Sequence, residues 1–152
     1  MKQLSIFPNT DCSIEKAYWV LYIDGASRGN PGLAGAGIFL SKNSEVVAKN
    51  SYFLGTKTNN QAEYYGLVYG LKVFKEQVLT PKDQLTIYSD SELLVRQMKG
   101  IYKIKNVDLK KLYEDALTLL CGIDYKIEHI RREKNTIADD LANRAFDKKI
   151  SK

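Results

Sequence analysis

Four carboxylates are placed where a charge needs an explanation: Asp24, Glu63, Asp90 and one aspartate of the pair Asp139 and Asp140. Asp24 closes the apolar run Tyr18 to Ile23, and Asp90 closes a second run, Leu85 to Ser89. A charge beside a buried strand is costly unless a cation or a group of donors compensates it. Glu63 falls on the same helical face as Gly66, Leu67, Gly70, Leu71 and Phe74, which turns it inward. In the last helix Ala138, Leu141, Ala142, Ala145 and Phe146 share one side. Asp139 lies about 20° from Phe146 at the edge of that side, and Asp140 projects away. Four acids brought together raise one another's pKa unless divalent cations sit between them. Mg2+ is the natural occupant, because it takes carboxylate and water oxygens and acts on phosphates.

Each acid also has a plainer reading. Asp24 suits a turn cap, Asp90 a helix N-cap, Glu63 a first-turn acid at the positive end of a helix dipole, and Asp139 a capping-box partner of Thr136. The remaining residue types narrow the chemistry. Cys12 and Cys121 are the only cysteines and His129 the only histidine, so a zinc site of two cysteines and two histidines and a disulfide framework are both excluded. Any metal is held by oxygen. With a net charge of +5 and a pI near 9.1 the chain suits a polyanionic partner. No early stretch has the length of a signal peptide's apolar core and no later one that of a membrane span, so a cytoplasmic protein with no membrane partner is expected.

The elements that must position these acids follow from periodicity. Residues 1–17 read as an N-terminal extension, with Pro8, Asn9, Thr10 and Asp11 breaking any pattern, and residues 18–152 as one domain. Tyr18–Ile23, Gly35–Leu40 and Val46–Phe53 read as a three-strand meander, joined by a turn at Gly29 to Gly32 and another at Lys42 to Ser44. The glycines do not fit GxGxxG, and a strand-like run follows them, so a dinucleotide or P-loop fold is set aside. A helix from Thr58 to about Gln77 comes next, then the strand Leu85–Ser89, helices over 91–98 and 107–120, a strand over Tyr125–Ile130, and a closing helix from Thr136. The expected fold class is α/β: a mixed five-stranded sheet with helices on its faces. If the first and fourth strands are neighbours, Asp24 and Asp90 meet at one edge. Residues 96–111 carry six basic residues against Asp108 alone, interleaved with Ile101, Tyr102 and Ile104. That reads as a phosphate-binding stripe, with a solvated surface as the alternative.

These residues carry a family resemblance. YIDGASRGNPG (22–32), TNNQAEYYGL (58–67), YSDSELLVRQMKG (88–100), KNVDL (105–109) and NTIADDLAN (135–143) together resemble a type 1 ribonuclease H, in that family's order and over residues 18–147. The likeness is nearest to its short bacterial and archaeal-like members. It implies a ribonuclease H-like fold, with Asp24, Glu63, Asp90 and Asp139 as catalytic metal-binding acids. The implied activity is two-metal hydrolysis of the RNA strand of RNA/DNA hybrids, with Mg2+ (or Mn2+ in its place), leaving 5′-phosphate and 3′-hydroxyl ends. Asn30, Asn59 and Asn60 match positions that contact the minor groove, where a 2′-hydroxyl marks RNA. Thr58 and Asn106 match a DNA-phosphate pocket, and at Thr56 some relatives have an arginine that completes it.

Two departures stand beside the resemblance. Many members carry a histidine in a longer loop before the last helix, whereas Arg131 to Asn135 is short and has none. The long basic handle of several relatives is missing, and Lys99, Lys103 and Lys105 are the residues available in its place. Two competing functions remain at this level: a binding module with an inert site, and an enzyme of the same fold that also cuts double-stranded RNA, whose duplex is A-like too. A monomer is expected.

Overall fold

The computed structural model describes residues 15–77 and 79–150. Most of the expected N-terminal extension, with Cys12, lies outside the described residues. Its inner end belongs to the fold, because Ala17 is buried and its carbonyl accepts a hydrogen bond from Gln84 N–H at 3.0 Å.

Five strands form one sheet in the order β3-β2-β1-β4-β5. β1 (Tyr18–Gly29), β2 (Gly32–Lys42) and β3 (Glu45–Lys57) are the expected antiparallel meander; β4 (Gln84–Ser89) pairs in parallel with β1, and β5 (Asp124–His129) pairs in parallel with β4. The first three strands are longer than the apolar runs that announced them. Asp24 is therefore not at the end of β1, since five more residues pair with β2 before the turn at Asn30 and Pro31. Those residues include Gly25 and Gly29, whose lack of a side chain hides a strand from any hydrophobic pattern. What does end near Asp24 is the parallel ladder, whose last pair is Ile23 with Ser89.

Helices cover both faces. α1 (Asn59–Lys75) packs on β1 and β2, α2 (Glu92–Met98) follows β4, α3 (Val107–Leu120) packs against α1, and α4 (Thr136–Ile150) lies across β2, β1 and β3 on the opposite face. A single turn of 3-10 helix, Arg132–Lys134, precedes α4. Thr58 starts α1 through a capping box with Gln61, and Ser91 and Asn106 cap α2 and α3 in the same sense. Two glycines decide how closely the helices approach. A Cβ on Gly25 would meet the backbone of Ala62 and Glu63 in α1, and one on Gly37 would meet that of Ala138 and Ala142 in α4. The main core lies between sheet and α1: Trp19, Leu21, Ile23, Ile38 and Leu40 against Leu67, Leu71 and Phe74, with the Trp19 and Phe74 rings edge-on at 5.3 Å.

Candidate active site

Parallel pairing of Ile23 with Ser89 puts the next residues of both strands, Asp24 and Asp90, side by side where the ladder stops. The close contact at Gly25 brings the first turns of α1 over the same spot, so that Glu63 meets them. One carboxylate oxygen from each of Asp24, Glu63 and Asp90 lies within 4.8 Å of the other two. Asp24 is buried, and Glu63 and Asp90 are half-buried. Gly25 N–H is shared between Asp24 Oδ1 and Glu63 Oε1, at 2.9 Å each. Ser89 Oγ accepts Ser91 N–H at 3.0 Å, which closes a turn around Asp90.

The electrostatics follow from this crowding. Burial first, then the charges of Glu63 and Asp90, then Asp139, hold the Asp24 carboxyl well above the usual carboxylate range. Glu63 is raised by burial and by Asp90, against the partial relief of the Gly25 amide. Asp90 Oδ2 is buried with no hydrogen-bond partner among the described residues. A cluster of acids with one orphaned oxygen is poorly satisfied by protein groups alone, and a divalent cation supplies what is missing. The donor set therefore fits a metal site.

Asp139 stands one step outside the group of three. It is half-buried in the first turn of α4 and faces Asp24, whose pKa it raises by hydrogen bonding and by charge. Its N–H donates to the Asn135 carbonyl at 3.0 Å, so α4 begins at Thr136 and the capping-box register is one residue away from what is observed. Asp140 is exposed, as the helix geometry predicted, and it pairs with Arg144 at 2.9 Å.

The other expected site residues fall on two neighbouring regions. Asn30 Oδ1 accepts Asn59 N–H at 3.0 Å, tying the β1–β2 turn to the start of α1 beside the exposed Asn60. Thr58 and Asn106 are the N-caps of α1 and α3, each with its side-chain oxygen bonded to the helix it starts. Lys99, Lys103 and Lys105 are exposed on the connection between α2 and α3. Lys99 Nζ lies 3.8 Å from Glu128 of β5, and Lys103 lines a cavity of about 280 Å³ with Gln97, Tyr102, Lys110 and Tyr113. Sequence reasoning assigned no role to Asn135, which is 1% exposed and donates from Nδ2 to the Ile23 carbonyl at 2.9 Å. Its position directly before an amphipathic helix, where asparagine is favoured, was the available signal.

A family model described as "Reverse transcriptase-like" matches residues 22–145, a span that takes in all four acids. The crystal structure of RNase H1 from the halophilic archaeon Halobacterium salinarum superposes with a TM-score of 0.80 at 37% identity, covering 86% of this chain and 98% of that one. The chain belongs to the type 1 ribonuclease H family. A second type 1 ribonuclease H, LC11-RNase H1 solved in complex with an RNA/DNA hybrid, gives a TM-score of 0.79 at 34% identity and covers 87% of this chain and 99% of that one. A bifunctional protein of Mycobacterium tuberculosis is 42% identical over 133 residues, 84% of this chain. The chain spans about a third of that relative's length, 35%. Among the described residues no helix is long and apolar enough to cross a membrane.

Proposed function

We propose that the chain is an endoribonuclease that hydrolyses the RNA strand of RNA/DNA hybrids, acting as a cytoplasmic monomer. The observation that carries the reading is the group of three carboxylates, Asp24, Glu63 and Asp90, within 4.8 Å of one another and with Asp90 Oδ2 left without a partner among the described residues. In this reading these three and Asp139 hold two divalent cations, Mg2+ by preference and Mn2+ in its place. When bound, the ions supply a water activated for in-line attack and neutralise charge on the leaving 3′ oxygen, which gives 5′-phosphate and 3′-hydroxyl ends. Membership of the ribonuclease H family and the hybrid-bound relative support the substrate assignment.

The chain's own residues account for the rest. Gly25 N–H restrains the Asp24 and Glu63 carboxylates, and the Ser89–Ser91 turn restrains Asp90, so little ordering remains when substrate arrives. Asn30, Asn59 and Asn60 offer amide groups to the minor-groove face of an A-like duplex, where a 2′-hydroxyl is accessible. Thr58 and Asn106 place the N-terminal ends of two helices toward one DNA phosphate, a favourable setting for an anion. Lys99, Lys103 and Lys105 supply salt-dependent attraction.

Cleavage assays on labelled RNA/DNA hybrid, double-stranded RNA and DNA, with Mg2+, Mn2+ or chelator, test the proposal. Metal-dependent loss of the RNA strand of the hybrid is expected. Cleavage that persists in excess chelator removes the metal mechanism, and equal cutting of double-stranded RNA removes the hybrid specificity. Binding without cleavage returns the chain to the inert-module reading.

A further inference from the structure

Asn135 makes a set of bonds that stability alone does not explain. It is 1% exposed, and its Nδ2 donates to the carbonyl of Ile23, the residue immediately before Asp24. Its own carbonyl accepts the N–H of Asp139, and its own N–H is held by the Arg132 carbonyl at 2.9 Å. One residue therefore joins the backbone carrying Asp24 to the backbone carrying Asp139, across 112 positions of sequence. It does so where the parallel ladder between β1 and β4 ends, so that from there β1 continues paired with β2 but no longer with β4. The same side chain leaves Oδ1 buried with no partner among the described residues. A buried amide oxygen without a donor costs free energy that an apolar residue of the same size would not incur. The amide is thus kept for the bond to Ile23.

We propose that Asn135 is a positioning residue that sets the spacing between the Asp24 and Asp139 carboxylates, and through it the affinity of the acidic site for a divalent cation. This rests on the reading of those acids as metal ligands. Groups that orient a ligand from behind commonly cost 10–100-fold in metal affinity or activity when removed.

The test uses the full chain and a cation-binding measurement that does not depend on turnover. Asn135→Leu keeps the volume and removes both amide groups. It is expected to unfold at a temperature near that of the wild type while binding Mn2+ by calorimetry at least about tenfold more weakly. Asn135→Ser, which leaves room for a bridging water, covers the case in which the leucine variant fails to fold, and the same weakening is expected. Combined with Asp139→Asn, the Asn135 change should add little further loss, because both act on one spacing. Wild-type Mn2+ affinity in a folded Asn135 variant, or full additivity with Asp139→Asn, overturns the positioning role. Failure of the underlying reading looks different: the wild type itself then binds no Mn2+ and leaves hybrid intact.

Discussion

The acidic cluster should destabilise the metal-free protein, and Asp24→Asn measures by how much. Asp24 and Glu63 are raised above their usual range in the fold. Well below about pH 4 these groups are protonated in both folded and unfolded states, and they do not alter the balance. As pH rises from there, the unfolded chain releases protons that the folded chain retains, so stability falls through neutral pH. Two full charges at 4.8 Å repel by about 3.5 kcal/mol at an effective dielectric constant near 20. Asp24 meets this repulsion from both Glu63 and Asp90, and retained protons relieve much of it, so the net saving from a neutral isostere at pH 8 is roughly 2–4 kcal/mol. The amide keeps an oxygen for Gly25 N–H, so that bond is not lost with the charge. A gain of this size corresponds to an unfolding temperature about 5–15 °C higher for a domain of this length. Thermal unfolding in chelator at pH 5 and pH 8 is the assay. The variant's advantage should shrink at pH 5, and saturating Mg2+ should raise the wild type far more than the variant. An Asp24→Asn protein that melts at or below the wild-type temperature at pH 8 in chelator would refute the account.

Other consequences follow from the same geometry. Asp90→Asn and Glu63→Gln should abolish hybrid cleavage while far-ultraviolet circular dichroism and hybrid binding in a filter assay stay close to wild type, since neither change empties the core; near-normal turnover in either sinks the catalytic assignment. Asp139→Asn and Asp139→Glu should both lose most cleavage, and Asp140→Asn, which breaks only an exposed pair with Arg144, should keep it. Neutralising Lys99, Lys103 and Lys105 together should weaken hybrid binding and flatten the slope of log K against log salt by up to roughly 0.9 per lost phosphate contact; an unchanged slope makes the segment an ordinary solvated surface. Asp83 tests the fold rather than the site. Burial would raise its pKa, but hydrogen bonds from Thr80, Trp19 and Ala17 outweigh that and lower it. Its contribution is present above the unfolded pKa near 3.9 and is lost as pH falls through the folded value. Asp83→Ala, leaving the indole N–H and the Ala17 amide unpaired, should cost roughly 2–4 kcal/mol in urea unfolding at neutral pH.

What the sequence by itself determined is local in origin. Alternation and apolar runs marked five strands, the 3.6-residue period put Glu63 on the face of α1 that meets the sheet, and the same period separated Asp139 from Asp140. The start of α1 was readable for the same reason, because Thr58 acts on an amide only three residues away, whereas the N-cap of α2 is Ser91, one residue past the Asp90 that local preference offered. Tertiary structure decided the rest. That β4 lies beside β1, with Ser89 level with Ile23, is a pairing between residues 66 apart in sequence, and no local preference specifies it. Without that register Asp24 and Asp90 are two strand-end acids with ordinary capping explanations. The outer half of β1 was invisible because Gly25, Ala26, Ser27, Arg28 and Gly29 offer no large apolar side chain and so no hydrophobic period, although it is where α1 comes close enough to deliver Glu63. Asn135 was legible only as a residue before a helix. Its bond to Ile23 exists because the chain returns, 112 residues later, to the point where β1 loses its parallel neighbour and its backbone needs a partner.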